Sequence, residues 1–141
     1  MRNTFFSLLA IGIFTLCMTY ACQPNVSIET AQYAVNGQKL YRTHCENCHG
    51  AQGEGLGTLY PPLTDSSYLR TNREKLACIV RNGLNEPVQV NGKTFEGSMP
   101  GLPQLSTIEI AYILTYVTTN FGQQTSTYSQ EDVRKSLANC P

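Results

Sequence analysis

Residues 45–49 read Cys-Glu-Asn-Cys-His. Two thiols three residues apart, with an imidazole directly after the second, admit three chemistries. Such a pair is half of a zinc site, but no second Cys pair and no spaced pair of histidines follows. It is also the dithiol of thioredoxin-like oxidoreductases. That motif needs a βαβ setting, whereas here the flanks are a helical pattern and a glycine-rich stretch. The third chemistry is c-type haem attachment: two thiols add to the two vinyl groups of one haem, and the adjacent His reaches the iron. The motif is therefore read as one covalent haem c on Cys45 and Cys48, with His49 as an axial ligand.

Working outward, residues 29–44 carry Tyr33, Gly37, Leu40 and Tyr41 on one face at helical spacing. A glycine inside that face costs about 1 kcal/mol against alanine, which close approach of a second helix would offset. Downstream, residues 50–60 hold four glycines and read as a loop, and Pro61-Pro62-Leu63 fixes an extended turn. A helix fits residues 73–82, with Leu76, Ile79 and Val80 on its apolar side and Gly83 just past its end. Val88 to Phe95 reads as a hairpin around Asn91-Gly92, the preferred type I′ pair. Ser106 and Glu109 form a capping box. From it Ile110, Ile113, Leu114, Val117 and Phe121 run along one face until Gly122. A polar link then leads to a last helix over 130–138, opened by Ser129 and Asp132.

The N-terminus is an export signal. Arg2 precedes a largely apolar run from Phe5 to Leu16, a signal length and too short to span a bilayer comfortably. Thr19-Tyr20-Ala21-Cys22 resembles a bacterial lipoprotein box, with Thr19 where that box usually has Leu. The resemblance implies cleavage before Cys22 and lipid on its thiol. An ordinary cleaved signal or an uncleaved anchor are the alternatives. The organisation is then a leader over 1–21, a tether over 22–28, a domain over 29–122 and a C-terminal extension over 123–141.

The 141 residues suffice for one domain, and 41% hydrophobic content suits a packed core. Losing the leader removes Arg2 and no acid, leaving nine basic and ten acidic residues. That balance gives no reason to expect nucleic acid. Met99 is the one methionine left once Met1 and Met18 go with the leader. Its soft thioether, in a loop fixed by Pro100, suits a sixth iron ligand; the alternative is a core-filling methionine. Cys78 and Cys140 remain as an even pair in an oxidising compartment, either bridged or as two free thiols. Cys78 falls off the apolar side of its helix. His44 reads as a solvated surface residue, and Arg81 and Asn82 either approach a haem propionate or form a solvent-facing helix end.

Over residues 32–121 the chain resembles the class I, His/Met cytochrome c family. Gly37 and Tyr41 precede Cys45 as a glycine and an aromatic do there, and Tyr116 looks like the aromatic partner on the crossing helix. Pro61 looks like the proline whose carbonyl takes a hydrogen bond from the ligand His, here His49. The stretch VNGKTFEGSMP, residues 90–100, is similar to the hairpin and Met loop of bacterial members serving oxidases, dehydrogenases and copper nitrite reductases. The resemblance implies an all-α fold, three to five helices around one covalent haem, with a small β-hairpin before the Met loop. It implies an exported, lipid-anchored carrier on the periplasmic side. That carrier would pass single electrons between respiratory donors and a terminal oxidase or reductase. It would be no enzyme and have no small-molecule substrate. Two further readings stay open: a permanent haem subunit of a dehydrogenase or nitrite reductase complex, and a haem-based ligand sensor or peroxidase with a labile Met99.

Overall fold

Ser27 opens the first helix by accepting a hydrogen bond from the Thr30 amide at 3.0 Å. The computed structural model describes residues 26–140, so the leader, Cys22 and the start of the tether lie outside the described residues. Helix α1 (Ile28–His44) buries Thr30, Gly37 and Tyr41 and packs chiefly on α5 (Thr107–Asn120). The closest approach is at Gly37, where any Cβ would overlap the Tyr112 carbonyl. Tyr41 lies 5.2 Å from Tyr116 and 5.4 Å from Phe121, centroid to centroid, so three rings fill the angle between the helices.

After Cys45 the chain makes one more turn, α2 (Glu46–His49), which stops at Gly50 with φ of 80°. The glycine-rich loop follows. Asp65 then caps α3 (Ser66–Thr71), and Asn72 joins it to α4 (Arg73–Asn82). Four short strands come next: β1 (Gly83–Leu84), β2 (Val88–Val90), β3 (Lys93–Phe95) and β4 (Met99–Pro100). Strands β2 and β3 pair antiparallel around Asn91 and Gly92, both at positive φ, as a type I′ turn requires. Helix α5 begins with the capping box of Ser106 and Glu109.

The fold is the mostly helical one expected, with two additions. The described residues hold six helices rather than three to five, because α2 and α3 are too short to show a periodic pattern. Strand β1 also pairs antiparallel with β4, setting Leu84 opposite Met99. A two-residue pairing between distant segments leaves no alternation in the sequence to read.

The C-terminal extension is a strap rather than a tail. Its helix α6 (Gln130–Ala138) starts at a second capping box, Ser129 with Asp132. Tyr128 and Val133 are fully buried and belong to the main core. Arg73 on α4 donates to Gln124 Oε1 at 2.9 Å and to the Thr127 carbonyl at 3.0 Å, while its guanidinium lies 4.5 Å from the Tyr128 ring centroid. The Tyr128 hydroxyl returns a 2.6 Å bond to the Arg73 carbonyl. Thr127 reaches Thr30 of α1 at 2.7 Å. Cys78 and Cys140 are joined as a disulfide with Cα atoms 5.6 Å apart. Cys78 is buried although it sits off the apolar side of α4, because α6 brings a second apolar surface to that flank. The Arg81 guanidinium donates to the Pro103 carbonyl at 2.7 Å.

A bridge spanning 62 residues restricts the unfolded chain strongly, by about 4 kcal/mol in the loop-entropy account. Replacing Cys140 with Ser should therefore lower stability by about 2–4 kcal/mol. The loss should appear in denaturant titrations of the haem-loaded protein and match that of the wild type under reducing conditions.

Candidate haem site

The attachment turn is built by backbone geometry. The amides of Cys48 and His49 bond the Cys45 carbonyl at 3.1 and 2.9 Å, so both thiols and the imidazole leave one turn of helix. The Tyr41 hydroxyl donates to the Gly50 carbonyl at 2.6 Å and pins the exit of that turn. Burial raises the phenol above its ordinary value, so Tyr41 keeps the proton it donates. The sequence offered an aromatic at this position but no sign of the bond.

His49 is buried, 8% exposed, and its Nδ1 lies 3.0 Å from the Pro61 carbonyl oxygen. A carbonyl only accepts, so Nδ1 carries the hydrogen and Nε2 keeps its lone pair. Burial lowers the imidazole's proton affinity, partly opposed by that bond, and so favours the neutral form that binds metals. Cys45 and Cys48 are the free cysteines among the described residues. Burial, with Cys48 beside it, pushes the Cys45 thiol up to about 12, so it is protonated at neutral pH.

Two neighbouring cavities share Cys45, His49, Pro61, Leu84, Val88 and Met99 in their walls. The first reaches into the core, against Leu76, Val80, Ile113 and Val117. The second opens past exposed Gly97 and Ser98. The combined slot has His49 and Met99 in its wall, apolar side chains beyond them and Cys48 at its outer end. These residues fit a haem held by two thioethers, with a nitrogen and a sulfur available to iron. They do not fit zinc: among the described residues no group of three or more His, Cys, Asp or Glu side chains could hold a metal ion. His44 is exposed.

Asp65 is a part of the site that sequence reasoning missed. One carboxylate oxygen caps α3, accepting from the Ser67 and Tyr68 amides at 3.0 and 3.1 Å. The other accepts from the Asn91 amide at 3.0 Å, in the hairpin turn. One side chain thus ties the α3 wall, with Leu69, to the β2 wall, with Val88 and Val90. The capping contact is local to Asp65-Ser66-Ser67, whereas the second partner stands 26 residues away.

A slot with these side chains in its wall fits a covalent-haem protein. Residues 34–121 match the cytochrome c family, and the chain belongs to that family, whose members carry covalently attached haem c and transfer electrons. The chain is 29% identical over 112 residues to cytochrome c-552 of Thermus thermophilus, covering 73% of this chain and 85% of that one. It is 31% identical over 94 residues to cytochrome c-555 of Methylococcus capsulatus, covering 64% and 75% respectively.

The hydrogen bonds from Ser67, then Tyr68 and Asn91, hold the Asp65 carboxyl at about 2, below its ordinary 3.8. A lowered folded value means stability that is full above the ordinary value and is lost as pH falls through the folded one. Replacing Asp65 with Ala should cost about 1 kcal/mol at neutral pH. The gap to wild type should close between pH 3.8 and about 2, as read by urea unfolding across that range.

Proposed function

We propose that this chain is a monohaem electron carrier in which Cys45 and Cys48 hold the haem and His49 and Met99 are its axial ligands. The observation that carries this reading is the wall shared by the two cavities, which contains His49, Met99 and Cys45 together. The haem, when bound, supplies an iron that accepts or gives up one electron. The chain's own residues keep that change small. Pro61 fixes the imidazole through its Nδ1 hydrogen. Strand β1 holds the Met99 backbone by pairing Leu84 opposite it. The apolar lining excludes water, and an iron held by both His49 and Met99 would leave no place for a substrate. A carrier of this kind meets redox partners such as an oxidase, reductase or dehydrogenase in weak, brief encounters.

The leader and Cys22 support a carrier exported to the periplasmic side and held at a membrane by lipid on Cys22. In that reading residues 22–28 are the tether, 29–122 the haem domain and 123–141 the extension. Among the described residues no helix is long and apolar enough to cross a membrane.

Replacing Met99 with Ala should abolish the weak red absorption band from sulfur bound to ferric iron. It should also lower the reduction potential by on the order of 0.1 V. An unchanged spectrum would remove Met99 as a ligand. Replacing Cys22 with Ser should abolish incorporation of a palmitate analogue and move the protein to the soluble fraction; label persisting in the variant counts against the lipid assignment.

A further inference from the structure

Charge is unevenly spread over a chain whose net formal charge is zero. The segments that frame the slot, 43–69 and 82–104, carry Glu46, Glu54, Asp65, Glu86 and Glu96 against Lys93, with Arg42, Arg70 and Arg81 standing at their ends. The rest of the described chain carries eight basic residues and five acidic ones. Both ion pairs found among the described residues, Arg73 with Asp132 and Arg134 with Glu131, involve the C-terminal strap. The carboxylates at the slot are not in one. Asp65 is occupied by its cap, and Glu86 shares a groove with Lys75. Glu46 shares a groove with Arg42. Glu54 and Glu96 are exposed.

Large apolar side chains stand out at the same place. Leu56 is 53% and Leu59 58% exposed, in the loop between Cys48 and Tyr60. Leu56 pairs with Tyr60, which lines the outer cavity. The Leu59 carbonyl lies so close to Gly97, at the opening, that a Cβ there would press on it. The two leucines therefore flank Tyr60 and Gly97, both in the wall of the outer cavity. A redox encounter buries little area, so a small apolar centre with a charged rim suffices to orient it.

We propose that this rim, Leu56 and Leu59 framed by Glu54 and Glu96, is the docking surface for a redox protein whose contact face is apolar at its centre and basic around it. The proposal rests on the electron-carrier reading and adds the sign of the partner's charge. Acidic groups at the slot raise the local concentration of cations and repel anions, and salt screens both effects.

The test uses the reduced, haem-loaded protein and two oxidants of opposite charge. These are the tris(phenanthroline)cobalt(III) cation and the hexacyanoferrate(III) anion, followed by stopped flow over a range of salt. The cation's rate constant should fall as salt rises, and the anion's should climb. Glu54→Lys with Glu96→Lys should lower the cation's rate at low salt about tenfold and raise the anion's about as much. Glu74→Lys with Glu131→Lys makes the same change in net charge away from the slot, and should move either rate by no more than about twofold. Replacing Leu56 and Leu59 with Asn should slow the aromatic cation and leave the anion's rate in place. Equal effects of the two charge-reversed variants, or a wild type that favours the anion at low salt, would overturn the proposal. If neither oxidant takes an electron from the protein, the carrier reading itself falls. An unaltered haem spectrum in each variant establishes that the site has stayed intact.

Discussion

The contact of Gly37 with the Tyr112 carbonyl is the constraint from which the rest follows. It fixes how closely α1 and α5 approach, and each helix brings one half of the slot. Helix α1 runs directly into Cys45 and the attachment turn. Helix α5 supplies Ile113, Leu114 and Val117 to the inner wall. A side chain at position 37 would push the helices apart and separate the covalent anchor from the apolar surface that must receive the ring. The rings of Tyr41, Tyr116 and Phe121 then fill the wedge beside the contact. Gly53 lies against Phe121, so the glycine-rich loop folds back over the same ring cluster.

Helix α4 plays a comparable part on the other side of the slot. Its inner face gives Leu76, Ile79 and Val80 to the cavity. Its end turns at Gly83 into the strand that pairs with Met99, and the Val80 carbonyl takes the Leu102 amide at 2.9 Å. Its outer face is tied to the strap through its own Arg73 and the Cys78–Cys140 disulfide. Stability added by residues outside the family match is thus delivered to the element that carries the Met99 strand.

Much of this was legible because it is local. The attachment motif, the capping boxes at Ser106 and Ser129, the Asn91-Gly92 turn and the apolar face of α5 are all written within a few residues of one another. Gly37 and Tyr41 were legible as a pattern, and Tyr116, the ring that Tyr41 meets on α5, followed from the family resemblance. What could not be read lies in pairings between distant positions. Asp65 spans α3 and the hairpin turn, a link between residues 26 apart that no local pattern carries. Tyr128, in a polar link, gave no hint that Thr115 and Arg73 would bury it, although its amide bonds Thr115 Oγ1 at 3.0 Å. The depth of Cys78 depended on a helix that only tertiary packing brings to it.

The order of the four cysteines in the described domain bears on how the protein is made. A chain synthesised from its N-terminus presents Cys45 and Cys48 first, then Cys78, and Cys140 only 62 residues later. Throughout that interval the described thiols upstream of Cys78 are Cys45 and Cys48, the pair proposed to hold the haem. Any mismatched bridge formed then would consume an attachment site and strand Cys140. Correct maturation therefore depends on timing: either the haem thiols are engaged early, or the compartment's oxidants are kept from the chain until the strap has arrived.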